Sequence, residues 1–288
     1  MTTTRPMTTT RSMTTLVMGI VNVTPDSFSD GGRHFDAMDA VAHGRGLIAA
    51  GADILDIGGE STRPGAQRIA ADVERARVLP VIEALAAEGA LISVDTLNAS
   101  TAAAAISAGA LIVNDVSGGL ADPAILDVVA DSEAHIALGH WRGPSDDMYA
   151  RAQYDDVVHE VVSELAERRH EALAAGIPPD RIIVDPGLGF GKRGQQNWTV
   201  LRGLERLVAM DARVLVGTSR KGFLAEALEA VGGEVTETRR DLATAVTSVR
   251  AAQAGAWAVR VHDVAATRDA LRIALLQSIP YGSAGEQA

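Results

Sequence analysis

The sequence contains no cysteine, few aromatic residues and no long apolar run. Without cysteine among its 288 residues, disulfide bonds and thiolate chemistry are excluded. Aromatic residues make up only 3% of the chain, whereas the hydrophobic content reaches 47%, which suits one large core of closely packed β/α units. No apolar run approaches the roughly 20 residues of a membrane span. We therefore expect no association with a membrane.

A surplus of positive charge is also missing. The formal net charge is -11 at pH 7, which argues against a nucleic-acid or anionic-membrane partner. Any anionic substrate must therefore be held by a few local cations. The lack of cysteine is compatible with a reducing compartment, and we expect a cytoplasmic location.

The first fifteen residues differ in composition from the rest. Met1–Arg5 recurs as Met7–Arg11, and this threonine-rich stretch lacks the apolar segment of a secretory signal. We predict a disordered N-terminal tail over residues 1–15, one domain over residues 16–279, and a C-terminal tail over residues 280–288.

Short apolar runs alternate with alanine-rich amphipathic stretches along this domain. The runs predict buried strands at Leu16–Val21, Asp53–Ile57, Leu91–Val94, Leu111–Val113, His135–Leu138, Arg181–Val184, Arg213–Val216 and Trp257–Val261. The stretches between them predict helices, among them Met38–Ala50, Ala71–Ala87, Ser100–Ala108, Val157–Ala175, Ala243–Ala254 and Ala265–Leu276. Ala-Gly pairs such as Ala50-Gly51 and Ala254-Gly255 are typical helix ends.

This alternation predicts an α/β protein with a (β/α)8 TIM-barrel fold. The alternative is a doubly wound open sheet. It is disfavoured because no G-x-G-x-x-G sequence follows the first strand, as a dinucleotide-binding fold would require.

Polar residues lie at the end of every predicted strand. They are Asn22, Asp56, Asp95, Asn114, Asp115, His140, Asp185, Ser219, Arg220, Lys221, Arg260 and His262. A single one could be a turn former or a helix cap, as we expect for Asn98 and Asp122. All eight ends meet at the C-terminal face of a barrel, where active sites of this fold are built. Together they predict a functional site.

One group of these residues suits a flat heterocycle rich in N–H groups. Asp95, Asn114 and Asp185 offer paired acceptors, and Lys221 could reach a ring carbonyl or ring nitrogen. Phe190 adds an aromatic wall on a glycine-rich loop. A pterin or guanine edge would satisfy this set.

A second group suits a polyphosphate and its Mg²⁺ ion. Arg63, Arg260 and His262 could bind phosphate oxygens, and the Asn22 amide supplies an oxygen ligand of the kind that Mg²⁺ prefers. Arg63 lies in a polar loop with Ser61 and Thr62, just after the Asp56 carboxylate.

Seven motifs, in order along the chain, resemble those of dihydropteroate synthases. They are Asn22–Gly32, Gly58–Ala66, Ser93–Thr96, Asn114–Gly119, Asp185–Phe190, Ser219–Lys221 and Arg260–Asp263. The resemblance covers about Leu16 to Leu276 and touches all eight strand ends. It implies that 6-hydroxymethyl-7,8-dihydropterin diphosphate is joined to p-aminobenzoate, giving 7,8-dihydropteroate and diphosphate.

The resemblance also implies roles for individual residues. The pterin would be bound by Asp95, Asn114, Asp185 and Lys221. The diphosphate would be bound by Asn22, Arg63, Arg260 and His262, with Asn22 touching Mg²⁺. The p-aminobenzoate would be bound by Thr62, Pro64, Phe190, Ser219 and Phe28. Asp56 matches an additional site carboxylate. A homodimer formed through helices on the barrel wall and inhibition by sulfonamides are implied as well.

One position departs from the family pattern. Gly139 stands where the family usually has a methionine that packs on the pterin, so the sequence predicts a gap or a water site there. This departure supports one alternative, a non-catalytic pterin-binding paralogue. A second alternative, a pterin-dependent methyltransferase, has no need of the diphosphate group or of the Ser61–Pro64 loop.

Overall fold

Eight parallel strands close into a barrel in chain order, each pairing with the next and β8 pairing with β1. The computed structural model describes residues 15–24, 33–61, 68–144 and 149–277. The strands are β1 Leu16–Asn22, β2 Ile54–Gly58, β3 Ile92–Asp95, β4 Ile112–Asp115, β5 His135–Gly139, β6 Ile182–Asp185, β7 Arg213–Val216 and β8 Ala258–Val261. The predicted TIM barrel is therefore confirmed.

Helices cover the outside of the barrel. They are α1 Arg33–Ala49, α2 Ala71–Ala87, α3 Ala99–Ser107, α4 Ala124–Ala130, α5 Val157–Ala174, α6 Gln195–Arg202, α7 Leu204–Val208, α8 Gly222–Ala230, α9 Glu237–Gln253 and α10 Val264–Gln277, with a 3₁₀ turn at Pro179–Arg181. The predicted helix ends are confirmed at Gly51 and Gly255, whose φ angles of +100° and +95° favour glycine.

The strands alternate between two apolar environments. Residues such as Val17 and Val259 pack outward against the helices, whereas Met18, Ile183 and Leu215 belong to a separate apolar cluster inside the barrel. Because side chains alternate along a strand, the inward positions can be followed upward from this cluster. At the C-terminal ends they are Asn22, Asp56, Asp95, Asn114, Gly139, Asp185 and Arg260. The barrel thus has an apolar lower interior and a polar mouth.

The predicted tails lie almost wholly outside the described residues, which begin at Thr15 and end at Gln277. Within the described ranges, no helix is long and apolar enough to cross a membrane.

Candidate functional site

Arg260 forms the centre of the barrel mouth. Its Nε lies 2.5 Å from Asp56 Oδ2, and one Nη lies 2.7 Å from Asp95 Oδ2. Both carboxylates are buried, with 0% and 6% of their surfaces exposed. A guanidinium is suited to such a fork because its donors are planar and permanently charged. The arginine on β8 therefore bridges two carboxylates delivered by β2 and β3.

Asn114 extends this network across the barrel. Its amide Nδ2 donates to Asp56 Oδ2 at 3.1 Å. Among the described residues, the other Asp56 oxygen, Oδ1, is buried without a hydrogen-bond partner. A buried acceptor in this state is costly unless a bound molecule supplies a donor. The mouth thus has unused acceptor capacity of the kind an N–H-rich ring would satisfy.

The environment of Asp95 sets its protonation. Burial raises the pKa of Asp95 to about 7, and the positive charge of Arg260 counteracts part of this effect. Its proton affinity is therefore matched to neutral pH, which is common for functional carboxylates.

Asp185 and Lys221 form a second pair at the mouth. A methyl group built on Gly217 would lie 3.9 Å from both Asp185 Oδ2 and Lys221 Nζ, and 3.7 Å from the Arg260 side chain. Burial raises the pKa of Asp185, opposed chiefly by Lys221, and burial lowers the pKa of Lys221 to about 8, opposed by Asp185. The predicted pterin residues therefore converge, and Gly217 keeps the space between them open.

The loop after β6 carries backbone groups to this pair. Gly187 N donates to Asp185 Oδ1 at 2.7 Å, and Lys221 Nζ donates to the Leu188 carbonyl. The ammonium also lies 4.3 Å from the centroid of the Phe190 ring, within the range of a cation–π interaction. Phe190 is thus brought to the mouth, as the sequence predicts.

Ser219 and His262 meet at the end of the barrel formed by β7 and β8. The Ser219 hydroxyl lies 2.8 Å from His262 Nδ1 and accepts a 3.0 Å hydrogen bond from the His262 backbone N–H. Asn22 ends β1, in register with Gly58 on β2. These three residues lie at the C-terminal ends of their strands, as expected.

Two cavities flank the Phe190 loop. One, of about 270 Å³, is lined by Arg68, Leu97, Val116, Leu120, Ala121, Trp141, Pro144 and Phe190. The other, of about 200 Å³, lies between this loop and the start of α8, and is lined by residues that include Gly189, Gly222 and Glu226. Both cavities therefore lie against the loop that follows β6.

The gap predicted at Gly139 is absent, and that prediction is wrong. A Cβ atom at this position would lie 2.5 Å from the Val116 carbonyl oxygen and 2.6 Å from Val116 Cα. The turn after β4 causes this approach: Asp115 accepts hydrogen bonds from the N–H groups of Ser117 and Gly119, which folds the chain toward β5. Backbone therefore occupies the volume that the sequence assigned to empty space or water.

Four predicted site residues, Thr62, Arg63, Pro64 and Phe28, lie outside the described residues, as does most of the first loop. In the part of the chain that the structure describes, no group of three or more His, Cys, Asp or Glu residues is arranged to hold a metal ion. The donor chemistry nevertheless fits Mg²⁺, since this ion usually takes one or two protein oxygens and completes its shell with phosphate and water.

Sequence reasoning missed two buried groups beneath this face. Lys192 and His140 are 1% and 2% exposed, and Lys192 Nζ lies 2.9 Å from His140 Nδ1. The sequence pattern marks His140 only as a polar strand end and assigns no role to Lys192. The signal available was a lysine directly after a glycine-rich loop.

Comparison with known proteins agrees with this geometry. The family model described as "Pterin binding enzyme" matches residues 18–262. A dihydropteroate synthase of Mycobacterium leprae (strain TN) is 50% identical over 259 residues, covering 89% of this chain and 91% of the relative.

Solved structures give the same result. A Xanthomonas albilineans dihydropteroate synthase with 4-aminobenzoic acid superimposes with a TM-score of 0.85 at 46% identity, covering 92% of this chain and 94% of the other. A structure from the same organism in complex with 7,8-dihydropteroate has a TM-score of 0.81 at 43% identity, covering 92% and 95%. The chain therefore belongs to the pterin-binding enzyme family, among the dihydropteroate synthases.

Proposed function

We propose that this chain joins 6-hydroxymethyl-7,8-dihydropterin diphosphate to p-aminobenzoate, releasing diphosphate and forming 7,8-dihydropteroate. The observation that carries the proposal is the convergence of Asp95, Asn114, Asp185 and Lys221 at one barrel mouth, linked through Arg260. Family membership supports it.

The pterin ring would lie among Asp95, Asn114, Asp185 and Lys221. Carboxylate and amide oxygens there can accept from the amino group and ring N–H groups, and the Lys221 ammonium can donate to a ring acceptor. Asp56 Oδ1, which has no hydrogen-bond partner among the residues that the structure describes, adds one more acceptor. Because these groups are buried, their charges act with little screening by water.

The diphosphate would be held by Asn22, Arg63, Arg260 and His262. Arg260 already uses two nitrogens on Asp56 and Asp95, so it would contribute mainly positive charge fixed at the mouth. Mg²⁺, with Asn22 as a protein ligand, would supply charge neutralisation of the departing diphosphate.

The p-aminobenzoate would lie between Phe190 and Ser219, framed by Thr62, Pro64 and Phe28. The cavity beside Phe190 offers apolar walls to an aryl ring on that side of the loop, from Leu97, Trp141 and Pro144. A sulfonamide shares the aryl amine of p-aminobenzoate and would compete for the same space.

The reaction needs no strong base. The C–O bond between the pterin methylene and the diphosphate breaks, and the bond electrons leave with the diphosphate. The aryl amine nitrogen then donates its lone pair to the methylene carbon, and its proton passes to water. Asp95 and Asp185 stabilise positive charge that develops on the ring, because they are preorganised in a desolvated site.

The test is diphosphate release from the pterin diphosphate with and without p-aminobenzoate. The proposal predicts release that depends on both substrates. The methyltransferase alternative predicts no release, and a non-catalytic paralogue predicts pterin binding without release. Either result would overturn the proposal.

We also propose a cytoplasmic homodimer. Large apolar side chains are exposed on α9 and α10, which pack side by side: Leu242 at 65%, Val246 at 62%, Ile273 at 57% and Leu276 at 64%. Contiguous exposed apolar surface usually marks an interface, and identical chains most often pair about a two-fold axis. A second copy of the chain is the occupant that we infer.

A further inference from the structure

Lys192 has the largest side chain among the fully buried residues of the described chain. Its Nζ contacts three acceptors: His140 Nδ1 at 2.9 Å, the Gly187 carbonyl at 3.0 Å and the Phe190 carbonyl at 3.1 Å. Burying an amine is costly unless it is fully hydrogen-bonded. Three short contacts satisfy this requirement, and two of them are to the loop after β6.

His140 is set up to accept from this amine. Burial, followed by the charge of Lys192, lowers the pKa of His140 to about 4, so the ring is neutral near pH 7. With Nδ1 as acceptor, the ring proton lies on Nε2, which is 3.0 Å from Glu164 Oε2 in a bent contact. The histidine thus connects Lys192 to α5.

Glu164 is held as a carboxylate. Burial by itself raises the pKa of Glu164, but the close contact with His140 and the hydrogen bonds from Arg142 outweigh burial and lower it to about 2. Arg142 also donates to Glu160 at 2.7 Å and lies 3.8 Å over the Tyr154 ring, whose hydroxyl donates to the Gly191 carbonyl at 2.8 Å. Arg142 is therefore held by α5, and Tyr154 links it to the loop after β6 through the Gly191 carbonyl.

The 187–191 loop is rich in glycine, so contacts from neighbouring residues help to fix its backbone. Gly187, Gly189 and Gly191 have φ angles of +61°, +84° and +56°, in the region that glycine adopts readily. A Cβ at Gly189 would lie 2.6 Å from Lys221 Cδ, so the loop passes very close to the pterin-site lysine. Small shifts of this loop would move the Leu188 carbonyl and the Phe190 ring relative to Lys221.

We propose that Lys192, oriented by His140 and Glu164, is a positioning residue that fixes the 187–191 loop against Lys221. This proposal rests on the proposed function, because the loop is assigned to both substrates. Lys192 does not touch either substrate; it acts through two backbone carbonyls.

The first test is Lys192→Met, which keeps a long unbranched side chain and removes the donors. The dissociation constant for pterin diphosphate, measured by calorimetry, should rise on the order of tenfold, and the KM for p-aminobenzoate should rise similarly. The kcat should fall less, since Asp185 and Lys221 remain. Arg193→Met, one residue along the chain, is the control and should bind like the wild type.

The second test uses His140. His140→Asn retains an acceptor close to the Nδ1 position and should bind nearly as the wild type does, whereas His140→Leu should resemble Lys192→Met. The double variant Lys192→Met/His140→Leu should be no worse than Lys192→Met, because Lys192→Met already removes the contact that His140→Leu breaks.

These outcomes separate the positioning role from the proposed function. Turnover by the wild type tests the function, whereas pterin affinity measured by calorimetry tests positioning without turnover. If circular dichroism shows that Lys192→Met does not fold, the comparison of His140→Asn with His140→Leu tests the positioning role instead. Wild-type affinity in Lys192→Met, or equal losses in His140→Asn and His140→Leu, would overturn the proposal.

Discussion

Arg260 is the residue on which the electrostatic balance of the mouth depends. It lies between the buried carboxylates of Asp56 and Asp95, and its own side chain is only 19% exposed. Removing the cation leaves two buried carboxylates without the opposite charge that pairs with them, and that is more damaging than never having had the cluster.

Arg260→Met should therefore lower the free energy of unfolding by about 3–5 kcal/mol at neutral pH. It should also abolish pterin diphosphate binding. Urea titration measures the first effect and calorimetry the second. Arg213→Met is the matched control. The Arg213 guanidinium lies 5.5 Å from the centroid of the Trp257 ring, outside the mouth, and losing this contact should lower the free energy of unfolding by about 0.5–1 kcal/mol. Equal losses in the free energy of unfolding of the two variants would show that the ion pairs of Arg260 with Asp56 and Asp95 contribute no more than the Arg213 contact.

Asp95 and Lys221 should give pterin binding a narrow pH optimum. Asp95 is ionised above its pKa of about 7 and Lys221 is protonated below its pKa of about 8, so both are charged only between these values. Affinity should fall as the pH drops below about 7 and as it rises above about 8. Calorimetry across this range checks the profile. Asp95→Asn should abolish the loss of affinity at low pH and leave the loss of affinity at high pH. An unchanged loss at low pH would contradict the assignment of this titration to Asp95.

Gly139 should not tolerate a side chain. Because a Cβ would meet the Val116 backbone at 2.5 Å, Gly139→Ala should reduce the free energy of unfolding by about 1–3 kcal/mol and weaken pterin binding. Gly46→Ala is the control, since Gly46 lies in α1 with nothing within 4 Å of its Cβ direction; there alanine should stabilise by about 0.5–1 kcal/mol. Thermal unfolding of both variants would decide, and a stabilised Gly139→Ala would mean that the space is open after all.

At the scale of elements, local patterns predicted the strands well and side-chain partners poorly. Short apolar runs gave all eight strands, because a parallel barrel buries both faces of each strand. The hydrogen-bond partners of the two predicted helix caps, Asn98 and Asp122, could not be predicted from the sequence. Asp122 accepts from the Ala99 N–H at the start of α3, while Asn98 donates to Glu74. These contacts depend on how helices pack, which sequence spacing alone does not encode.

The exposed faces of α9 and α10 carry the prediction about assembly. Val246→Glu places a charge among the exposed apolar side chains of α9 and α10 and should convert a dimer to a monomer, because desolvating an unpaired carboxylate is costly. Light scattering after gel filtration measures the mass. Val73→Glu is the control, since Val73 is an exposed apolar residue on α2, which packs against α1 and α3. A wild-type protein that elutes as a monomer would contradict the homodimer.

At the scale of the whole molecule, the barrel explains which site residues could be predicted. Polar residues at strand ends are visible in sequence, and closure of the barrel brings Asp56 and Arg260 together across 204 positions. The Lys192–His140 contact, spanning 52 positions, had no such signal because Lys192 follows the loop rather than a strand. The error at Gly139 arose in the same way, since the approach of Val116 depends on a turn in a neighbouring loop.

The most direct test of the central claim is the stoichiometry of the products. Wild-type protein supplied with Mg²⁺, pterin diphosphate and p-aminobenzoate should form 7,8-dihydropteroate and diphosphate in equal amounts, measured by chromatography of a single reaction. Asp185→Asn, which removes the charge facing Lys221, should lower turnover on the order of a hundredfold, while Asp122→Asn at the α3 cap should not. Diphosphate without dihydropteroate, or normal turnover by Asp185→Asn, would contradict the account.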